Sequence, residues 1–280
     1  MQPPDLKTIP RHESAAEQVV VKEKSVEQQT LERSASDAVE FADKWGVRLR
    51  LLGGLAFKDL CPSARDPSSA YYRENKDMDL IGRRDDTKDI MKVMDLLGYK
   101  PREVFNKFNM GQRMIYYDME NKCRIDIFLD EFVMCHKFNF KENLLEGVKT
   151  LPITQLVMTK LQVVEKTDKE YLDLFAAFKD FDVIEGKKGK GILGDEIAEL
   201  VSKNWGKYTT FAKSMEALKQ KAETLESGDK KLIVSRIEIL FSIMCSHPKS
   251  PAWRIRSTIG EKARWYELPE TSDRDPMLHS

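Results

Sequence analysis

Cysteine is scarce in this chain. Cys61, Cys123, Cys135 and Cys245 are scattered through it, with no CxxC or other close ligand spacing, which argues against a zinc site and against a disulfide framework. Histidine is equally sparse. His12, His136, His247 and His279 have no partner at ligand spacing, so structural or surface roles are expected, and no Ser-His-Asp or Cys-His arrangement is suggested. Charge of either sign is not in excess: the formal net charge is zero, and nothing in the overall balance demands nucleic acid or an anionic membrane as partner. Long apolar runs are missing as well. No window approaches the roughly 18 apolar residues of a membrane span, and the opening stretch MQPPDLKTIPRHES lacks the apolar segment of a signal peptide. The expectation is a cytoplasmic protein with no membrane contact.

What the sequence does contain is enough hydrophobic residue (41%, against 33% charged) to build a core in 280 residues, with one domain and a smaller appended part. Residues 1–24, rich in Pro, Lys, Glu and Gln, are expected to form a flexible N-terminal arm. Residues 25–150 are expected to be an α+β core, residues 151–268 a mainly helical region, and residues 269–280 a disordered tail.

The centre of the chain carries the chemistry. Ser25 to Trp45 has helical periodicity closed by Gly46. The run VRLRLL after it reads as a strand leading into Gly53-Gly54 and a new helix. A polar stretch over 58–75, with two prolines and several serines, predicts a surface loop. Next comes DMDLI, in which Asp77 and Asp79 alternate with apolar residues, so both carboxylates fall on one face of a short strand. A helix capped by Asp86 or Thr87, with apolar positions Ile90, Val93, Met94 and Leu97 and ended by Gly98, is expected next. Two strand-like runs, Arg113 to Asp118 and Lys122 to Leu129, are spaced as a hairpin. If the second lies beside the DMD strand, Asp126 faces the same side as Asp77 and Asp79. Another strand is expected within 132–140. Beyond residue 150 the pattern is helical, with Lys160 beside an apolar stripe.

Transfer of a nucleotidyl group needs two Mg²⁺ ions about 4 Å apart, hard oxygen ligands to hold them, and a grip on the triphosphate. Two aspartates at alternate strand positions with a third on a neighbouring strand supply the ligands. A Gly-Gly turn at a helix N-terminus lets backbone N–H groups approach phosphate.

These residues resemble a known superfamily. Gly53-Gly54, then Arg73-Glu74-Asn75-Lys76-Asp77-Met78-Asp79-Leu80, then Arg124-Ile125-Asp126, are similar to the nucleotidyltransferases of the DNA polymerase beta-like fold. The nearest likeness is to the AbiEii-type toxin branch, and it covers roughly residues 45–180. Asn75 stands where Ser or Thr is usual, and Glu170 where an aspartate is. The resemblance implies a small mixed sheet flanked by helices followed by a helical region. It implies that Asp77, Asp79 and Asp126 bind Mg²⁺ or Mn²⁺ and are catalytic, that Gly53, Gly54, Arg73, Lys76 and Lys160 touch the nucleotide's phosphates, and that Asp173 belongs to a later acidic segment. It further implies transfer of NMP from an NTP to a tRNA, a protein or a small molecule, with an antitoxin as a further partner. A catalytically inactive nucleotide-binding or scaffolding protein of the same fold is the alternative.

Two other features have plainer readings. GKKGKGILG, residues 186–194, lacks the Walker A spacing and reads first as a linker. Trp253, Trp265 and Tyr266 among Arg254, Arg256 and Arg264 read as aromatics packed under basic side chains before they read as a base-stacking surface.

Overall fold

The structure, a computed structural model, describes residues 23–109, 111–145 and 149–268. The expected N-terminal arm, all but its last two residues, and the expected tail lie outside the described residues, as do His12 and His279.

Helix α1 (Val26–Lys44) begins where the Ser25 hydroxyl accepts from Gln28 N–H at 3.1 Å, an N-cap that satisfies one of the free donors of the first turn. Its buried stripe, Leu31, Ala35, Ala38, Val39 and Ala42, follows the helical repeat, and the chain leaves it through Gly46 at φ +71°. Strand β1 (Leu49–Leu52) is buried at all four positions, and Arg50 is accommodated there by donating to Asp43 at 2.9 Å. Helix α2 (Gly53–Leu60) follows without an intervening loop.

The expected surface loop over 58–75 is corrected by the structure. Helix α2 runs to Leu60, a helical turn α3 (Pro62–Arg65) follows with proline at its start, and Cys61, Ala64 and Tyr71 are buried. The prolines and serines that signal a loop here instead start and cap short turns: Pro62 needs no N–H at a first helical position, and Ser63 binds Asp180 through both its N–H and its hydroxyl.

Strand β2 (Asp77–Gly82) sends Met78 and Leu80 into the core and leaves the two aspartates on the opposite face. The chain continues through α4 (Thr87–Leu96), β3 (Lys100–Pro101), α5 (Glu103–Phe108), β4 (Arg113–Asp118) and β5 (Cys123–Leu129). Strands β4 and β5 form the expected hairpin, its turn held by the Asp118 carboxylate accepting from Glu120 and Asn121 N–H at 3.1 Å each. The sheet order is β1-β2-β5-β4-β3. Within it β2 and β5 are parallel and the other neighbours antiparallel, so the sheet is small and mixed, as expected.

A separate two-stranded hairpin of β6 (Glu131–Val133) and β7 (Lys137–Asn139) replaces the single strand expected over 132–140. The helical part consists of α6 (Ile153–Leu161), α7 (Asp168–Asp180), then β8 (Val183–Ile184) and β9 (Ile192–Leu193), then α8 (Gly194–Ser202), α9 (Trp205–Ala222), α10 (Ser227–Ser246) and α11 (Pro251–Ile259). The glycine-rich stretch is therefore more than a linker: its flanks β8 and β9 pair in parallel, and Leu193 N–H donates to the Thr154 hydroxyl at 3.0 Å.

One hydrophobic core joins the sheet to the helices, running from Leu31 to Met244. Helix α2 packs on β1 and β2 of the sheet and on α6 and α7 of the helical part. The aromatic cluster near the C-terminal end is part of the packing. Trp205 meets Trp265 edge-on at 5.8 Å, Arg256 covers the Trp205 ring at 4.6 Å, and the same guanidinium donates to the carbonyls of Gly260 and Ala263. A cation committed to two carbonyls and a ring is structural, which agrees with the packing reading of this cluster.

Candidate active site

The parallel register between β2 and β5 sets Asp79 opposite Asp126 and Asp77 opposite Arg124. Residues paired across parallel strands share a face, with strands about 4.8 Å apart, so Asp79 and Asp126 are lateral neighbours and Asp77 stands one step along. On the other side β1 ends at Leu52, opposite Asp79, and the chain turns there into α2. This turn places Gly53 against the acidic pair. Gly53 has φ +60°, a conformation that favours glycine, and a Cβ at this position would overlap the Asp79 carboxylate. No side chain caps the start of α2, so its first N–H groups are available to an anion.

A cleft of about 600 Å³ opens over this arrangement, lined among others by Gly53, Asp77, Asp79, Arg113, Asp126 and Lys160. Asp77 is exposed at its mouth and Asp79 is half-buried. Desolvation in the cleft, followed by the charges of Asp126 and Asp77, pushes the Asp79 carboxyl up to about 7. Desolvation and the Asp126 charge also push Asp77 up. Carboxyls raised by desolvation first and by one another's negative charge second gain from a cation placed between them.

Asp126 differs from the other two. Arg113 donates to its Oδ1 from Nε at 2.9 Å and from Nη2 at 2.7 Å. Arg124 donates to the same oxygen at 3.2 Å and reaches Oδ2 at 2.9 Å. Arg113 belongs to none of the sequence motifs that mark the other site residues. The hairpin spacing was the available signal, because it sets the start of β4 beside the end of β5.

The remaining candidates form a second, connected group behind Gly53. A Cβ on Gly54 would overlap the Arg73 guanidinium and the Asn75 amide, so these side chains pack directly on the Gly-Gly turn. Arg73 is held in two-pronged fashion by Asp173, and Lys160 lies 3.0 Å from the same carboxylate and 3.4 Å from Glu170. Burial works against the charge of Asp173, but Lys160 and Arg73 outweigh it and hold this carboxyl below the usual range. In the same way Asp173 and Glu170 outweigh the burial of Lys160 and hold its ammonium above the usual range. Glu170 in turn caps its own helix with Thr167. The structure therefore brings Gly53, Asp77, Asp79, Asp126 and Lys160 to one cleft, whereas Gly54, Arg73 and Asp173 support it from behind and Lys76 is exposed on the approach to β2.

The donor set fits a hard divalent cation in kind: carboxylate oxygens on adjacent strands, with space beside them kept by the missing Cβ of Gly53. Asp77 and Asp79 have no hydrogen-bond or ion-pair partner among the described residues that would compete. Among the described residues, however, no group of three His, Cys, Asp or Glu side chains is arranged to hold a metal ion; Asp126 is turned to its arginines instead.

The fold and site together define a mixed α/β protein with an acidic cleft at the C-terminal end of β1 and the start of β2. Comparison with solved structures finds the antibiotic-resistance factor ANT(2'')-Ia at a TM-score of 0.33 and 10% identity, over 79% of this chain and 97% of that one. No family model matches the chain, and no curated protein matches it.

Proposed function

We propose that this protein is a nucleotidyltransferase, moving NMP from a nucleoside triphosphate to an acceptor hydroxyl. The observation that supports this most directly is Asp77 and Asp79 on one strand face, without hydrogen-bond or ion-pair partners among the described residues, beside Asp126 and with Asp79 against the Gly53 turn. In the reaction the acceptor oxygen attacks the α-phosphorus, the bond from that phosphorus to the bridging oxygen of the β-phosphate breaks, and pyrophosphate leaves. The hydroxyl proton passes to a carboxylate of the cleft. A bound Mg²⁺ or Mn²⁺ would offset phosphate charge and polarise the reacting oxygens. Asp77 and Asp79 would hold that ion. The N–H groups at the start of α2 would face the phosphates, and Lys160 would present positive charge at the cleft wall.

The acceptor follows from the AbiEii-type likeness and is proposed as a tRNA or a protein, with a small-molecule hydroxyl as the other class; an antitoxin partner rests on the same likeness. The second reading, a nucleotide-binding protein without turnover, is favoured by one observation, the engagement of Asp126 by two arginines. Incubation with labelled NTPs and cell extract separates the two. Wild-type chain should transfer label and the Asp77→Asn, Asp79→Asn double variant should not; transfer that survives the double change removes the assignment. Calorimetric NTP binding without product supports the inactive reading.

A further inference from the structure

Asp126 is oversubscribed. Its Oδ1 accepts three N–H groups from two guanidiniums, two from Arg113 and one from Arg124, and a carboxylate oxygen has two lone pairs to share. Its Oδ2 lies 2.9 Å from Arg124. A divalent cation approaching Asp79 from the cleft would meet, one strand over, a carboxylate already neutralised and two positive charges that repel it. Shared coordination by Asp79 and Asp126, which their register places side by side, therefore requires one guanidinium to withdraw.

The two arginines are not equally placed to do so. Arg124 sits two residues before Asp126 on the same strand, opposite Asp77, with 14% of its side chain exposed. Both line the open cleft, but Arg113 comes from the neighbouring strand β4 and is the more exposed, at 29%. Its guanidinium lies over the Phe128 ring at 5.1 Å and near that of Phe105 at 5.9 Å. Flat aromatic surfaces support a planar cation without fixing it in one direction, so the side chain can turn from Asp126 into the cleft while keeping its apolar contact. A guanidinium released there has the fork geometry that grips phosphate oxygens.

We propose that Arg113 is an exchangeable counter-ion: it holds Asp126 until a divalent cation takes that carboxylate, and the released guanidinium then binds the polyphosphate of the nucleotide. The exchange couples metal loading to nucleotide capture, and Arg124 stays to orient Asp126. Its polyphosphate half rests on the nucleotidyltransferase reading, whereas its metal half needs no turnover.

The test uses the full chain without nucleotide, titrated with Mn²⁺ and followed by electron paramagnetic resonance of the free ion. Removing the competitor in Arg113→Ala should tighten Mn²⁺ binding about tenfold, the scale on which groups adjoining a metal's ligands act on its affinity, with Arg113→Lys between the two. In calorimetry with Mg²⁺ and NTP, the same variant should bind nucleotide about tenfold more weakly, the loss of one bidentate phosphate contact. Arg113→Met, which keeps the stem over Phe128, gives the same reading if the alanine variant fails to fold by circular dichroism. Mn²⁺ affinity that is unchanged or weaker in these variants overturns the exchange, as does absence of Mn²⁺ binding in every form. A wild type that binds Mn²⁺ in this pattern yet transfers no NMP removes the proposed function and supports the exchange.

Discussion

Arg73 and Asp173 form a parallel pair of hydrogen bonds, Nε to Oδ1 and Nη2 to Oδ2, each 2.8 Å long. They tie the segment before β2 to helix α7 a hundred residues later. The Asp173 side chain is 3% exposed, and it also takes Lys160 at 3.0 Å. One carboxylate thus faces two cations behind the Gly53-Gly54 turn, with Glu170 also 3.4 Å from Lys160.

Asp173→Ala should accordingly be among the costliest substitutions in the chain. It removes both carboxylate contacts of the mostly buried Arg73 and leaves Lys160 with Glu170 at 3.4 Å, and breaking a buried pair costs about 3–5 kcal/mol. Asp173→Asn, which keeps acceptor oxygen but no charge, should lose less. Arg73→Lys should also destabilise, because an ammonium cannot reproduce the fork. Urea unfolding of the three variants checks the order. Equal midpoints for Asp173→Ala and wild type would show that the network contributes nothing.

The glycine turn offers a sharper contrast. Gly53 and Gly98 both have positive φ, +60° and +79°, but a Cβ on Gly98 meets nothing within 4 Å whereas one on Gly53 overlaps Asp79. Gly98→Ala should cost about 1 kcal/mol from backbone conformation alone. Gly53→Ala should cost on the order of 3 kcal/mol, since Asp79 or the turn itself must shift as well. Thermal melts of the two variants give the comparison, and equal losses would mean that Asp79 does not rest on the turn.

Much of this site was legible in the sequence because its parts are local. Alternation in DMDLI fixed the face of Asp77 and Asp79, and the pairing of an apolar run with Gly-Gly located the turn beside them. Asp126 was legible as a condition, that its strand lie next to β2, which the register meets. The Arg73–Asp173 pair was not, because it joins elements whose spacing along the chain carries no periodic signal; Arg113 carries no motif of its own, and only the hairpin spacing that sets β4 beside β5 points to it. The segment over 58–75 failed for a related reason: Pro and Ser mark turns and helix starts alike, and the burial of Cys61, Ala64 and Tyr71 comes from packing rather than from their neighbours in sequence.

Asp79 should be destabilising while ionised. Its carboxyl titrates near 7 in the folded chain and about 3.9 when unfolded, so the folded state binds the extra proton between those values. Wild-type stability should therefore rise as pH falls from above 7 toward 4 through this group. Asp79→Asn, uncharged throughout, should be more stable than wild type at pH 8 by on the order of 2 kcal/mol after allowance for solvent screening, and the gap should close only as pH approaches about 4. Paired urea midpoints at the two pH values measure it; a variant less stable at pH 8 would contradict the raised carboxyl.

His136 should act in the opposite direction over much of the same range. It is buried, and its Nε2 lies 2.8 Å from the Thr210 hydroxyl. That hydroxyl also accepts the Trp265 indole N–H at 3.1 Å and still has a proton and a second lone pair, so it can serve either tautomer of the neutral imidazole. Burial, with the Lys207 charge adding to it, pushes the imidazole down to about 4. Between that value and about 6.5 the unfolded chain binds a proton that the folded chain does not. The resulting stability is complete above about 6.5 and is lost as pH falls toward 4, by about 3 kcal/mol at most. His136→Gln, which cannot be protonated, should remove this loss and flatten the acid side of the profile. Because Asp79 tilts the same region the other way, the measurement is best made in the Asp79→Asn background, where wild-type His136 should give a clear fall from pH 7 to pH 5 and His136→Gln a level line. A level line with His136 intact would mean that the imidazole is already protonated or exposed.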